Sequence, residues 1–304
     1  MTFKDKMDLA HELRSTDTLE MELPDGYEAY PEKTNRKEQW IETSAGETRI
    51  YVIRPKELQG ESPLYINIHG GGFVRPHLNR DILFTSKIAY ETGCTAIDVD
   101  YKLAPEYPYP AAFYECYDVV KWAFEHAKEL QIDPSRVIVG GHSSGGNLTA
   151  ALALKANETG EFRILLQILD YPPMDLYTDP MDKERDGIMV IPPERARAFN
   201  ALYVDDRRKA MEPFASPVFA TAEQLKGLPD ALVITAGEDS LKLEAERYAA
   251  SMIAAGVKVT AKRFVSSRHG FMAHCLDEYA EGHQLYIDAI KQACQMSAKD
   301  SKAL

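Results

Sequence analysis

A serine enclosed by glycines follows a short apolar run near the middle of this chain, and it restricts the folds that the chain can adopt. Residues 140–146 read Gly-Gly-His-Ser-Ser-Gly-Gly and come directly after the apolar residues 137–139. The apolar run is typical of a buried strand, and residues 144–155, rich in Ala and Leu, are typical of a helix. A serine on such a strand-to-helix turn has a strained backbone, and side chains two residues away on either side would collide with neighbouring elements. Glycine is therefore needed at Gly141 and Gly145.

Strand-like and helix-like segments alternate from Thr48 onward. Runs rich in β-branched and aromatic residues predict strands at 49–53, 64–68, 94–100, 136–140, 164–169, 231–235 and 257–264. Helical spacing or composition predicts helices at 111–126, 144–155, 194–204, 240–255 and 276–296. This alternation favours an α/β fold, in which a mostly parallel sheet is covered by helices on both faces.

Two segments, residues 1–45 and 172–222, do not fit the alternation. The first is polar and helix-like and contains no predicted strand, and the second carries seven prolines around the helix predicted at 194–204. Both retain apolar side chains, so we interpret them as cap elements rather than linkers. The expected organisation is a core formed by residues 46–171 and 223–304.

The composition argues against several classes of partner. Lys and Arg number 35 against 47 Asp and Glu, which gives a formal net charge of −12. No cluster of cations is present to neutralise phosphates, so nucleic acid is not an expected partner. No stretch reaches the roughly 18 apolar residues of a membrane span, so no stable membrane association is expected. A homodimer is an open alternative to a monomer.

The cysteines bear on cofactors and compartment. The chain has 4 of them, scattered and without a Cys-x-x-Cys pair. This pattern predicts no metal site, no redox cofactor and no disulfide framework, and a cytoplasmic location is the default.

A second glycine-rich segment, His69-Gly70-Gly71-Gly72, follows a predicted strand. The backbone N–H groups of Gly70 and Gly71, together with that of Ser144, can stabilise the negatively charged oxygen of a tetrahedral intermediate. A phosphate-binding loop is the alternative, but its G-x-x-x-x-G-K-[ST] pattern is absent. We interpret His69 as an anchor that holds the loop by hydrogen bonding, with Gly72 in a supporting position.

The base and the acid that would activate the serine are expected downstream. His269 follows the last predicted strand by a short loop, near the carboxyl ends of the strands. Asp239 follows the strand predicted at 231–235 and precedes His269, in the chain order serine, acid, histidine. The competing histidines are His274 and His283. The alternative acids are Glu238, Asp170 and Asp175.

Together these residues predict acyl transfer. Ser143 would attack an ester carbonyl while His269 accepts its proton, and Asp239 would hold the imidazole in the required tautomer. A small ester is therefore the expected substrate. His142, inside the serine motif, is interpreted as a turn residue rather than as a second base.

With these motifs the chain resembles the hormone-sensitive lipase-like branch of the α/β-hydrolase superfamily, the bacterial esterases with an HGGG motif. The resemblance covers roughly residues 48–296 and rests on 69–73, 101–106, 110–112, 141–146, 239–241 and 269–271. It implies an eight-stranded, mostly parallel sheet, a helical cap and hydrolysis of short-chain esters, and it places Glu106 among the residues around the site. The chain departs from the family pattern at Lys102, His142 and Ser240, where Arg, Asp and Pro are usual.

Two other functions would use the same framework. An amidase or peptidase would need the same triad. A non-catalytic ligand receptor of this fold would lack the catalytic histidine, whereas this chain has Ser143, Asp239 and His269. We therefore expect a serine carboxylesterase for small, neutral acyl esters.

Overall fold

Eight strands form one sheet through the centre of the protein. In chain order they are β1 (Thr34–Thr43), β2 (Gly46–Pro55), β3 (Ser62–Ile68), β4 (Thr95–Asp100), β5 (Ile132–His142), β6 (Leu166–Asp170), β7 (Asp230–Glu238) and β8 (Val259–Arg268). Their order in the sheet is β1-β2-β4-β3-β5-β6-β7-β8. β2 is antiparallel to both of its neighbours and all other pairs are parallel. The expected eight-stranded, mostly parallel sheet is confirmed.

The computed structural model describes residues 1–16, 21–184 and 191–300. Parts of both predicted cap segments, residues 17–20 and 185–190, lie outside the described residues. The helices within the description are α1 (Phe3–Ser15), α2 (Asn79–Thr92), α3 (Ala111–Glu125), α4 (Ala127–Leu130), α5 (Ser144–Thr159), α6 (Pro193–Tyr203), α7 (Ala222–Leu225), α8 (Lys242–Ala254), α9 (Phe271–His274) and α10 (Tyr279–Asp300).

Helices cover both faces of the sheet because the central strands are apolar on both sides. Alternate residues of β3, such as Leu64 and Tyr65, belong to two separate buried clusters. The first cluster includes side chains of α3, α5 and α8, and the second includes side chains of α2 and α10. Since successive side chains of a strand point to opposite faces, the two clusters are the two layers of the core.

One expectation for the N-terminal segment is wrong. Residues 1–45 were expected to contain no strand, but Thr34–Thr43 is the edge strand β1, paired antiparallel with β2. Of its ten residues, Thr34 and Ile41 are buried and most others are exposed. A strand that buries so few side chains needs no apolar alternation, which is why its sequence does not read as a strand.

The parallel strands bring the candidate residues together. β3 ends just before the glycine-rich segment at His69, and β5 ends just before Ser143. β7 ends just before Asp239, and β8 just before His269. Because the carboxyl ends of parallel strands share one edge of the sheet, four loops that are distant in sequence meet there.

Candidate active site

Ser143 lies on a tight turn between β5 and α5. Its backbone has φ 52° and ψ −120°, a conformation that strains any residue with a side chain. A Cβ atom at Gly145 would overlap the carbonyl oxygen of Ile68, and one at Gly141 would overlap the backbone of Gly145. The turn can therefore form only with glycine at both positions, as the sequence predicts.

A continuous hydrogen-bonded chain joins the predicted serine, histidine and acid. The Oγ of Ser143 lies 3.0 Å from Nε2 of His269, and Nδ1 of His269 lies 2.7 Å from Oδ2 of Asp239. The other carboxylate oxygen of Asp239 accepts a hydrogen bond from the backbone N–H of Leu241 at 3.0 Å. Since the carboxylate accepts from Nδ1–H, the lone pair of Nε2 faces the serine hydroxyl, which suits a general base.

The two competing histidines, His274 and His283, make other contacts. His274 donates from Nδ1 to the carbonyl of Gly270 at 2.9 Å, and its Nε2 lies 2.8 Å from Nη1 of Arg80. His283 is buried in the core beside α2, and burial lowers its pKa to about 3. Neither imidazole is the one that contacts Ser143.

Two of the competing acids occupy other positions. Asp175 accepts backbone hydrogen bonds from Tyr177 and Thr178 at 3.0 and 2.8 Å, as a turn residue does. Glu238 is the last residue of β7, where it pairs in register with Arg268. Asp239, by contrast, points its buried carboxylate at His269.

A second buried histidine–carboxylate pair lies directly behind the serine. Nδ1 of His142 is 2.5 Å from Oδ2 of Asp170, and both side chains are almost fully buried. Burial raises the pKa of Asp170, while the hydrogen bond from His142 opposes that rise. The sequence interpretation of His142 as a plain turn residue missed this contact. The signal that could have revealed it is that both residues end neighbouring strands, where they pair in register.

Tyr171 connects this second pair to His269. Its hydroxyl lies 3.4 Å from Nδ1 of His142, and its ring packs edge-to-face against the His269 imidazole with centroids 4.8 Å apart. The His269 ring is thus held on one side by Asp239 and on another by a fully buried aromatic side chain.

The glycine-rich loop lies against the serine turn. A Cβ atom at Gly70 would be 3.4 Å from Cβ of Ser143. His69 donates from Nδ1 to the carbonyl of Gly70 at 2.6 Å, and burial lowers the pKa of this imidazole, which keeps it neutral. Because the carbonyl and the following N–H of a trans peptide point in opposite directions, this bond also fixes the direction of the Gly71 N–H.

Three backbone N–H groups remain available beside Ser143. Among the described residues, no hydrogen bond is donated by the N–H of Gly70 or Gly71. Ser144 is the first residue of α5, where a backbone N–H has no acceptor within the helix. The loop and the turn therefore present unused donors next to the serine hydroxyl.

Glu106, expected near the site, does not touch Ser143. Its two carboxylate oxygens each accept a hydrogen bond of 2.7 Å from the guanidinium of Arg14, in the N-terminal helix α1. These hydrogen bonds lower the pKa of Glu106. The residue instead contributes to a contact between α1 and the loops at the edge of the sheet.

A cleft of ≈ 950 Å³, including the part open to solvent, contains Ser143 and His269. On the core side it is lined by the glycine-rich loop and by residues near His269. On the other side it is lined by Pro173, Ile191, Arg195, Ala196, Phe199 and Asn200. These six residues belong to the segment predicted as part of a cap, and most of them present apolar side chains to the cleft.

The described residues contain neither a metal-binding cluster nor a helix able to span a membrane. Within residues 1–16, 21–184 and 191–300, no group of three or more His, Cys, Asp or Glu side chains is placed to hold a metal ion. Over the same part of the chain, every helix is too short or too polar to cross a bilayer.

Comparisons with known proteins identify the family to which the chain belongs. Residues 65–273 match a protein family described by its alpha/beta hydrolase fold. An arylesterase of Saccharolobus solfataricus is 31% identical over 211 residues, which cover 69% of this chain and 68% of the relative. Esterase LipI of Mycobacterium tuberculosis is 32% identical over 231 residues, 75% of this chain and 71% of the relative. The solved structure of a hyperthermophilic esterase from Pyrobaculum calidifontis aligns with a TM-score of 0.78 at 29% identity, covering 96% of this chain and 91% of the other.

Proposed function

This chain belongs to the hormone-sensitive lipase-like family of the α/β-hydrolase superfamily, and we propose that it is a serine carboxylesterase with Ser143, His269 and Asp239 as its catalytic triad. The observation that carries the proposal is the hydrogen-bonded chain from Ser143 through His269 to Asp239. The two relatives and the solved structure described above are named esterases, which favours an ester over an amide as the substrate.

The first half of the reaction acylates the serine. His269 takes the hydroxyl proton as the oxygen of Ser143 attacks the ester carbonyl, and a tetrahedral intermediate forms. When the intermediate collapses, the same imidazole gives its proton to the departing alcohol oxygen, and the acyl group stays on the serine. Asp239 stabilises the imidazolium in between without taking the proton itself.

The negative oxygen of the intermediate needs hydrogen-bond donors that are already in place. We assign this role to the N–H groups of Gly70, Gly71 and Ser144. His69 orients the Gly70–Gly71 peptide, and Gly72, which has no side chain, leaves room for the loop to adopt its shape. Each such donor typically contributes about 2.7–4 kcal/mol to the stabilisation of the transition state. Water activated by His269 then hydrolyses the acyl-enzyme and releases the acid.

The substrate and the domain organisation are part of the same proposal. A cleft with an apolar surface opposite the glycine-rich loop suits small acyl esters. We assign α1 and residues 172–222 to a cap, and residues 46–171 and 223–304, together with β1, to the catalytic core. The four buried free thiols fit a reducing compartment such as the cytoplasm. Homodimerisation stays a prediction, which sedimentation velocity checks.

The decisive experiment compares matched pairs of variants on p-nitrophenyl butyrate. Ser143→Ala and His269→Ala should each lower kcat by roughly 10⁴-fold or more. Ser135→Ala and His126→Ala remove the same side chains far from the cleft and should keep kcat. His274→Ala tests the competing base. If His269→Ala retained turnover while His274→Ala lost it, the triad would be assigned wrongly.

A second measurement separates the alternative functions. Diethyl p-nitrophenyl phosphate should label the wild-type protein once, on the peptide that contains Ser143, and should leave Ser143→Ala unlabelled. A non-catalytic receptor would show neither labelling nor turnover. An amidase would hydrolyse butyryl p-nitroanilide at a rate similar to that of the ester, whereas we expect the ester to be strongly preferred.

A further inference from the structure

The glycine-rich loop ends in a residue, Phe73, that is held in a backbone conformation its bulky side chain disfavours. Gly71, Gly72 and Phe73 have φ values of 122°, 61° and 64° in succession. A positive φ strains a bulky residue such as Phe73 and persists only where surrounding contacts impose it. Two of the three N–H donors assigned above, those of Gly70 and Gly71, belong to this loop, so the contacts that impose its shape matter to the reaction.

Arg14 makes one of those contacts from the N-terminal helix. Its Nε donates to the carbonyl of Val74, the residue after Phe73, at 2.9 Å. Its Nη2 donates to the carbonyl of Ala104 at 3.0 Å, and Nη1 and Nη2 each reach a carboxylate oxygen of Glu106 at 2.7 Å. One half-buried guanidinium thus binds acceptors in two separate loops.

These two loops are also joined to each other and to the glycines. The N–H of Ala104 donates to the carbonyl of Phe73 at 2.9 Å. The N–H groups of Val74 and Arg75 donate to the carbonyl of Gly71 at 3.1 and 2.9 Å. The hydrogen bonds of Arg14 therefore act on the turn that fixes the peptide after Gly71.

Helix α6 also contacts the glycine-rich loop. The rings of Phe73 and Tyr203 stack almost parallel with centroids 3.7 Å apart. A guanidinium N–H of Arg195 in α6 donates to the carbonyl of Thr16, just after α1, at 3.0 Å. The two cap helices are thus linked to one another, and both are attached to the glycine-rich loop.

Building on the proposed function, we propose that Arg14 is a positioning residue for the oxyanion donors, so that seating of the N-terminal helix sets the rate of the chemical step. The planar guanidinium offers five N–H donors in fixed directions, which allows it to bind two carbonyls and a carboxylate at once. A lysine has the same charge, but its donors all lie on one ammonium nitrogen, so it cannot bind all of these acceptors at once. Oxyanion donors act through preorganisation, so a small displacement of the loop lowers kcat without weakening substrate binding in the apolar cleft.

The experiment measures kcat and KM separately in a set of variants. Arg14→Met should lower kcat for p-nitrophenyl butyrate by about 10-fold or more, with KM changed by less than about twofold. Arg14→Lys and Glu106→Gln keep part of the contact and should give smaller losses in the same direction. Should Arg14→Met fail to fold, these two milder variants decide the question.

The control is a second bidentate arginine in the cap. Arg197 in α6 binds both carboxylate oxygens of Asp179, at 2.7 and 3.1 Å, and it does not touch the glycine-rich loop. Arg197→Met should therefore leave kcat within about twofold of the wild type, whatever it does to thermal stability. An equal loss of kcat in both variants would overturn the proposal.

A readout specific to the oxyanion separates positioning from general loosening. A trifluoromethyl ketone forms a tetrahedral adduct with the serine and places its oxygen against the donors, whereas the matching methyl ketone binds without forming that adduct. The affinity for the first should fall in Arg14→Met in parallel with kcat, and the affinity for the second should hold. If KM rose while kcat and the affinity for the trifluoromethyl ketone stayed constant, Arg14 would only shape the cleft. Activity remaining in Ser143→Ala would instead refute the proposed function itself.

Discussion

Nε2 of His77 lies 3.0 Å from Oδ2 of Asp98, and the two side chains are only 5% and 0% exposed. His77 follows the glycine-rich loop, and Asp98 lies in β4. The second oxygen of the carboxylate accepts a hydrogen bond from Asn67 at 2.8 Å. Burial alone would lower the pKa of His77. The charge of Asp98, the hydrogen bond to it and the charges of Asp81 and Asp100 together outweigh burial and raise the pKa to about 9.

This pair predicts that the protein loses stability as the pH rises into the alkaline range. The pKa of His77 increases on folding, from 6.5 to about 9, so its contribution is complete below pH 6.5 and is lost as the pH passes through 9. The contribution at neutral pH is up to about 3 kcal/mol. Urea unfolding of the wild type and of Asp98→Asn at about pH 6 and about pH 10 checks this. The difference in free energy of unfolding between the two proteins should shrink at the higher pH. A constant difference would show that the pair is not an ion pair.

The serine turn predicts a graded response to alanine at its glycines. A Cβ at Gly145 would overlap the backbone of Ile68, whereas a Cβ at Gly146 would come no closer than 3.0 Å to its neighbours. Gly145→Ala should therefore lower the free energy of unfolding by more than about 3 kcal/mol, and Gly146→Ala by about 1 kcal/mol. Thermal and chemical unfolding of both variants measure the difference. Equal stability of the two would mean that the turn can relax.

The buried pair of His142 and Asp170 predicts that removal of the imidazole lowers stability by an amount that depends on pH. Removing the imidazole in His142→Ala leaves a carboxylate without its partner in the core, which should cost about 3–5 kcal/mol at neutral pH. Burial already raises the pKa of Asp170, and loss of the imidazole should raise it further. The loss of stability in His142→Ala should therefore be smaller at lower pH, where protonation of Asp170 removes the buried charge. It should also be smaller in the double variant that carries Asp170→Asn as well. A defect that is the same at every pH would indicate lost packing alone.

The hydrogen-bonded arrangement of Ser143, His269 and Asp239 could be predicted from the sequence because its determinants are local and steric. Glycine is required on both sides of Ser143 by the turn itself. Asp239 directly follows the mostly buried strand β7, and His269 directly follows the last strand, β8. Parallel strands bring such positions to one edge of the sheet, so chain order and strand ends were sufficient. The alternation of strand-like and helix-like segments predicted the mostly parallel sheet, and the family resemblance implied its eight strands.

Other features carry no local pattern. The edge strand β1 is mostly exposed, so its sequence shows no apolar alternation. The contact between Arg14 and Val74 joins residues 60 positions apart, and it depends on where the N-terminal helix docks. His142 and Asp170 meet only because their strands are neighbours in register. Each of these contacts is decided by tertiary packing rather than by the residues beside it in sequence.

Phe199 offers a test of how the cap limits the length of the substrate. It lies in α6 and lines the cleft, and its ring covers the glycine-rich loop so closely that a Cβ at Gly72 would be 2.5 Å from it. Phe199→Ala should open space on the cap side of the cleft for a longer chain. Each additional buried methylene contributes about 0.8 kcal/mol.

We therefore expect Phe199→Ala to raise the preference for longer esters by about 10-fold, measured as the ratio of kcat/KM values. The acyl half is tested by comparing p-nitrophenyl octanoate with p-nitrophenyl butyrate, and the alcohol half by comparing octyl acetate with butyl acetate. The ratio that changes shows which half of the ester contacts Phe199. Phe214→Ala is the matched control, because Phe214 is a half-buried residue of the same segment that stacks on Phe113 at 4.9 Å and does not line this cleft. It should lose stability without changing either ratio. If neither ratio changed in Phe199→Ala, the ring would not limit chain length, and the boundary of the substrate site would have to lie elsewhere in the cleft.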